Sequence, residues 1–185
     1  MGKGVGSKMK RYINEFVQLK CAPDLLNWKL FPNAKEITES MGIFHAVKRT
    51  IDVPLSDNTV NLVCVGDGHT PRTAGLFAVM TNWNCYSIDP LMRDKWVTNG
   101  KIKRLTVIKD RIENTPLEFD SLTIIVLPHS HASLKEVLKN IQAPVRHLVV
   151  MACCVPQDIP NVPYIGYWDT QIWSEKNTIK IYLNI

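Results

Sequence analysis

The chain has 185 residues, 45% of them hydrophobic and 21% charged, with a formal net charge of +5. That length carries one domain with a core large enough to fold without disulfides or metal, and the mixture is that of a soluble globular protein, not a disordered or fibrous one. No window approaches the roughly 18–20 apolar residues that span a bilayer, which excludes a transmembrane helix and predicts no membrane partner.

Residues 1–8 read as a flexible basic tail, and residues 9–185 as a single domain that opens with helices over residues 9–50. The start, MGKGVGSKMK, has no apolar h-region and so is not a signal peptide. Its Ser7 comes one place late for a myristoylation start. It also lacks the G-x-x-x-x-G-K-[ST] order and the preceding strand of a P-loop. In Met9–Lys20, Tyr12, Ile13, Phe16, Val17 and Leu19 recur near a 3.6-residue period, which predicts a helix. Cys21–Pro32 holds two prolines and reads as a loop or broken turn. Around Ala34–Arg49, Ile37, Met41, Phe44 and Val47 predict a second helix.

These first fifty residues hold nine Lys/Arg (Lys3, Lys8, Lys10, Arg11, Lys20, Lys29, Lys35, Lys48, Arg49) against four acids (Glu15, Asp24, Glu36, Glu39), and nine minus four is the whole net +5. Residues 51–185 carry thirteen of each sign and sum to zero. A basic segment beside a neutral core is suited to a polyanion such as nucleic acid; the plainer reading is a solvated tail and helix surface.

From Val60 the pattern alternates. The apolar run Val60, Leu62, Val63, Val65 ends at the turn Gly66-Asp67-Gly68, and Thr70-Pro71 follows as N-cap and first helical residue of a helix near Pro71–Thr81. Strand, glycine turn and helix N-terminus form the first unit of a Rossmann-like nucleotide site. The second strand, Cys85–Ile88, ends in Asp89, about twenty residues on, where such sites place a carboxylate for ribose hydroxyls. A short helix near Pro90–Val97, a strand at Leu105–Ile108 and a turn at Asp110–Asn114 come next. Leu122–Leu127 is a continuous apolar run, as in a strand buried on both faces. Ser133–Ile141 is an amphipathic helix with Leu134, Val137, Leu138 and Ile141 on one face, and His147–Ala152 a fifth strand. Tyr164–Trp173 and Thr178–Asn184 flank a polar turn and read as a hairpin whose second strand is half-buried, Ile179, Ile181 and Leu183 alternating with Lys180, Tyr182 and Asn184. The expected fold is α/β: a Rossmann-like, mostly parallel sheet with helices on both faces and a C-terminal antiparallel hairpin.

Five parallel strands followed by a hairpin is the order of class I S-adenosylmethionine-dependent methyltransferases, and over residues 34–185 the chain resembles that family. The family's first turn reads acid, then G-x-G-x-G. Here Gly66 and Gly68 match, while Cys64 stands at the acid position and Thr70 at the third glycine. The resemblance implies S-adenosylmethionine as cofactor, cradled by Gly66, Asp67 and Gly68, with Asp89 on the ribose, Asp110 on the adenine amino group and Ile112 packed on the ring. Each position also has a structural reading: the glycines as a tight turn, Asp89 and Asp110 as local caps.

After the fourth strand the chain reads Leu127-Pro128-His129-Ser130-His131. This is not the N/D-P-P-Y/F of amino-methylating enzymes, the acid of ribose-methylating enzymes or the Pro-Cys of cytosine C5 enzymes. His129 and His131 remain as catalytic candidates, since an imidazole titrates near working pH; the alternative is a pair of ordinary loop histidines. His129, His131, Cys153 and Cys154 are not expected to form a metal site, because adjacent cysteines on a strand point to opposite faces. Tyr164, Tyr167, Trp168 and Trp173 are expected to pack the last strands, with base stacking as the alternative. Five cysteines (Cys21, Cys64, Cys85, Cys153, Cys154), four of them in apolar runs, predict free thiols and a reducing, cytoplasmic location.

The reading is a small methyltransferase-like protein of unknown acceptor, with a nucleic acid as the candidate that the basic segment suggests. The competing readings are a non-catalytic binding or scaffold protein on the same fold, and an NAD-dependent oxidoreductase. The last is disfavoured because Pro71 stands where G-x-G-x-x-G needs glycine.

Overall fold

The computed structural model describes residues 12–98, 100–151, 153–155 and 157–185; the expected tail over residues 1–8 and the first residues of the expected helix, Met9, Lys10 and Arg11, lie outside the described residues. Three helices come first: α1 (Tyr12–Val17), α2 (Ala22–Asn27) and α3 (Ala34–Thr50). The start of α3 is set by Asn33, whose side chain accepts from the Glu36 N–H at 3.1 Å. The loop expected over Cys21–Pro32 contains α2 instead. Its Pro23 falls in the first turn, where the missing N–H has no intrahelical partner to lose, and Ala22 and Leu25 are buried.

The sheet follows as β1 (Asn61–Val65), β2 (Asn84–Ile88), β3 (Leu105–Ile108), β4 (Thr123–Pro128), β5 (Arg146–Met151), β6 (Ile165–Trp168) and β7 (Thr178–Tyr182). Between them lie α4 (Arg72–Met80) after β1, α5 (Asp94–Val97) after β2, a 3-10 turn at Ile112–Asn114 after β3, and α6 (Leu134–Asn140) after β4. The strand order is β3-β2-β1-β4-β5-β7-β6, all parallel except β7, which runs antiparallel to both its neighbours. Leu117–Glu118 and Ile141–Gln142 form a separate two-residue parallel ladder. Among the described residues, no helix is long and apolar enough to cross a membrane.

The period-2 alternation of the strands divides the core. Leu62, Cys64, Ile124, Val126, Val149 and Met151 face one cluster, packed with Phe16, Met41, Phe44 and Phe77 of α1, α3 and α4. Val63, Val65, Ile125, Leu127, Leu148 and Val150 face the other, packed with Ile112 and with Val137 of α6. Every residue of β1 and β4 is buried, as their unbroken apolar runs predict.

The second strand of the hairpin alternates as expected over most of its length: Ile179 and Ile181 enter the first cluster, while Thr178 is exposed and Lys180 partly exposed on the other face. Tyr182, expected on that polar face, is buried in the second cluster instead. Leu183 lies past the strand and is exposed. The edge strand on this side of the sheet is β6. Trp168 on it is 77% exposed and Trp173 is half exposed, so these two do not pack the last strands, whereas the Tyr164 ring lies 5.5 Å from that of Tyr182 on β7 and Tyr167 packs against the first cluster, as expected.

The chain reverses direction across the sheet at β1. The crossovers through β2 and β3 go one way, and those through β4 and β5 the other, which opens a crevice at the carboxyl ends of β1 and β4.

Candidate functional site

The turn after β1 is built from backbone that only glycine enters without strain: φ is +89° at Gly66 and +83° at Gly68. Space is restricted as well. A Cβ on Gly66 would lie 2.7 Å from Ser130 Oγ and 3.0 Å from the Ser130 Cα, and one on Gly68 would lie 2.9 Å from Arg72 Nη1. The turn is thus clamped between the loop after β4 and the first residue of α4.

Asp67 turns the other way. It is fully buried, and its carboxylate accepts from Thr73 N at 3.0 Å, Ala74 N at 3.1 Å and Ser87 Oγ at 3.0 Å. It therefore caps α4 from beneath and is not among the residues that line the cavity, although the sequence placed it beside the glycines. Thr70, expected as that cap, instead donates its hydroxyl to the Leu30 carbonyl at 2.6 Å, tying the turn to the segment before α3. The Arg72 guanidinium donates to the Asp67 carbonyl and lies 3.7 Å from Glu36.

A cavity of about 420 Å³ opens in front of the turn, lined by Gly66, Asp89, Asp110, Ile112, Glu113 and the loop His129–Ala132 among others. This is an ordinary size for a small-molecule site. Asp89 closes β2. Its Oδ2 accepts from Gly68 N and its Oδ1 from Leu91 N, both at 2.7 Å. Two backbone donors thus fix the carboxylate at the cavity wall, and each oxygen keeps a second lone pair for a ligand. Asp110 accepts from Asn114 Nδ2 at 2.9 Å and Arg111 N at 2.7 Å, and these hydrogen bonds hold its carboxyl below the ordinary aspartate value. Ile112 is buried and presents an apolar wall.

The loop after β4 brings in the histidines. His129 has φ +56° and donates its backbone N–H to Met151 O at 2.9 Å. Its Nε2 is 3.2 Å from Oε1 of Glu39, a buried carboxylate on α3 that also pairs with Lys35 at 3.3 Å. Burial pushes the Glu39 pKa up, but the His129 hydrogen bond and charge, with Lys35 and Arg72, outweigh it and hold the carboxyl below its usual range. A carboxylate accepts only, so Nε2 is the ring nitrogen that donates to Glu39. His129 also lines an adjoining cleft with Lys35, Glu36, Glu39, Arg72 and Trp173. His131 lines the first cavity only, and its Nε2 lies 3.3 Å from Cys154 Sγ.

Glu39 escaped the sequence reading, although an acid inside the buried run Ile37–Phe44 of an amphipathic helix is itself a signal. Of the basic residues in the described part, Lys35 reaches the cleft, whereas Lys48 and Arg49 lie about 14 Å farther along α3 than Glu39 at 1.5 Å per residue. Arg49 there packs over the Tyr167 ring at 4.7 Å.

No protein-family model and no curated protein sequence matches the chain. Solved structures do. The chain superposes over 94% of its length on 70% of a point mutant of MtNAS in complex with S-adenosylmethionine, with a TM-score of 0.55 and 12% identity. MtNAS in complex with MTA and tNA aligns with 94% of this chain over 73% of its own, with a TM-score of 0.52 and 13% identity. With the strand order and the single antiparallel strand, these likenesses establish the architecture: the chain has a class I methyltransferase-like α/β fold.

Proposed function

We propose that the protein is a small S-adenosylmethionine-dependent methyltransferase. The observation that carries this reading is the cavity at the switch point of the sheet, where Gly66, Asp89, Asp110, Ile112 and His129 converge from the carboxyl ends of four parallel strands. The residues suit the group. Gly66 lets a ligand approach the backbone, the pinned Asp89 carboxylate offers acceptors to ribose hydroxyls, Ile112 covers one face of an adenine ring, and Asp110 accepts from its amino group. S-adenosylmethionine supplies an electrophilic methyl group on its sulfonium.

The acceptor enters through the adjoining cleft, and His129, on the wall of both spaces, stands between acceptor and donor. Glu39 orients its ring from α3, as the acidic partner of a general base does. Most of the acceleration comes from holding the acceptor in line with the methyl group. Lys35, Arg72 and Lys176 face Glu36, Glu39 and Glu175 in the cleft, so its charge is balanced. Support for a nucleic-acid acceptor comes from the excess positive charge of residues 1–50 instead.

Calorimetry with S-adenosylmethionine, its demethylated product and NAD tests the reading. The first two should bind and NAD should not. Asp89→Ala should weaken binding at least tenfold, since a charged hydrogen bond is worth about 1.5–3 kcal/mol. If the folded protein binds neither nucleoside, it is a non-catalytic protein on this fold; if it prefers NAD, the cavity serves a dinucleotide.

A further inference from the structure

The strands β4 and β5 pair in register with Pro128 opposite Met151, so the loops that follow them leave the sheet side by side. His131 and Cys154 each stand three residues beyond that last pair. The expectation that Cys153 and Cys154 point to opposite faces fails because β5 ends at Met151 and both cysteines lie past it. Their thiols converge, with the sulfurs 3.9 Å apart, Cys154 Sγ 3.3 Å from His131 Nε2, and the three ligand atoms all within 4.8 Å of one another.

The two shorter separations match those around a tetrahedral ion, and the third lies within 4.8 Å. Zinc–sulfur bonds of about 2.3 Å and zinc–nitrogen bonds of about 2.0–2.1 Å, at tetrahedral angles, place two sulfurs about 3.8 Å apart and a sulfur and nitrogen about 3.5 Å apart. The donor set is also that of a zinc-class ion, because two thiolates and an imidazole select borderline and soft cations over magnesium or calcium. Two thiolates neutralise a dication exactly in charge count, and their protons leave to solvent on binding.

The supports of the site are fixed in the fold. Gln157, buried, donates to the carbonyls of Ser130 at 3.2 Å and Ala132 at 2.8 Å, bracketing His131, and Lys176 Nζ donates to the Cys153 carbonyl at 2.7 Å.

We propose that His131, Cys153 and Cys154 form a three-ligand site for a zinc-class divalent cation at the rim of the cavity. No fourth histidine, cysteine or carboxylate joins the group among the described residues, so the fourth position is open to water or to a bound ligand, as in catalytic and not structural zinc sites. His131 lines the cavity and Cys153 the cleft, which puts the ion between the two spaces. His131 is then a metal ligand and not a base, leaving His129 alone in that role.

The test is a cobalt(II) titration of the reduced, chelator-stripped full chain, with all five thiols counted as free beforehand. One equivalent should produce thiolate-to-cobalt charge transfer and the intense visible bands of tetrahedral cobalt, and one equivalent of zinc should abolish both. Outer-shell partners of a metal are already worth about 10–100-fold in affinity, so Cys154→Ser and His131→Ala should each weaken binding by at least that much. Cys21→Ser, remote from the site, should leave it unchanged. A chain with its thiols reduced that shows no charge transfer, a weak octahedral spectrum, or bands that survive the double variant Cys153→Ser, Cys154→Ser overturns the proposal.

Discussion

Two carboxylates 22 positions apart divide the work of the glycine turn, and their hydrogen-bond partners separate their roles. Asp67 faces inward onto two α4 amides and the Ser87 hydroxyl; Asp89 faces the cavity with its oxygens pinned by Gly68 and Leu91. Asp67→Ala removes a helix cap worth about 0.5–2 kcal/mol and strands buried donors at about 1–3 kcal/mol each, so it should destabilise the protein by about 2 kcal/mol or more in urea unfolding. If instead S-adenosylmethionine affinity falls while stability holds, Asp67 belongs with the ligands. Gly68→Val meets a φ of +83° and the Arg72 guanidinium together, and it displaces the N–H that fixes Asp89. It should abolish cofactor binding; a variant that binds normally places the site elsewhere.

At the scale of elements, the chain just beyond β7 packs against a buried histidine of β5. His147 on β5 is nearly buried, and its Nδ1 accepts from the Asn184 N–H at 3.1 Å just beyond β7. Burial holds its pKa below the ordinary 6.5. In the unfolded chain the ring protonates near 6.5, and in the fold only at lower pH, so the unfolded state binds more protons in that interval. Stability should therefore be level above about pH 7 and fall as pH drops below about 6.5 toward the folded value. His147→Asn keeps an acceptor for Asn184 but does not titrate, and thermal melts across pH should show a shallower acid loss. An unchanged profile would assign the loss to other groups. The α2 helix makes a related point: Pro23 reads as a breaker in a linear window, yet the buried Ala22 and Leu25 recruit that stretch into the core.

For the whole molecule, the uneven charge makes a separate forecast. All excess positive charge lies in residues 1–50, Lys48 and Arg49 stand away from the cleft, and the cleft is itself balanced. If the acceptor is RNA or DNA, affinity should fall with salt by about one unit of log–log slope per phosphate neutralised, and deletion of residues 1–11 should lower that slope without altering cofactor affinity. Binding that ignores salt, or none at all, would point to a protein or small-molecule acceptor.

The sequence by itself determined the sheet and the location of the cavity. Unbroken apolar runs, a glycine turn and an acid at the end of the second run are local features, and local backbone and burial preferences suffice to make them β1, β4 and the switch point. It equally determined that Asp89, Asp110, Ile112 and His129 would meet, because the ends of parallel strands lie together. Tertiary structure decided the rest. Whether Asp67 faces a ligand or a helix depends on how α4 seats against β2, and whether His129 has a carboxylate partner depends on α3, ninety residues earlier in the chain. The convergence of Cys153 and Cys154 depends on where β5 stops, and the burial of Tyr182 on Tyr164 and Asp158 packing against it. Each is a long-range pairing whose partner no local pattern names, since periodicity shows that a face is buried and not what covers it.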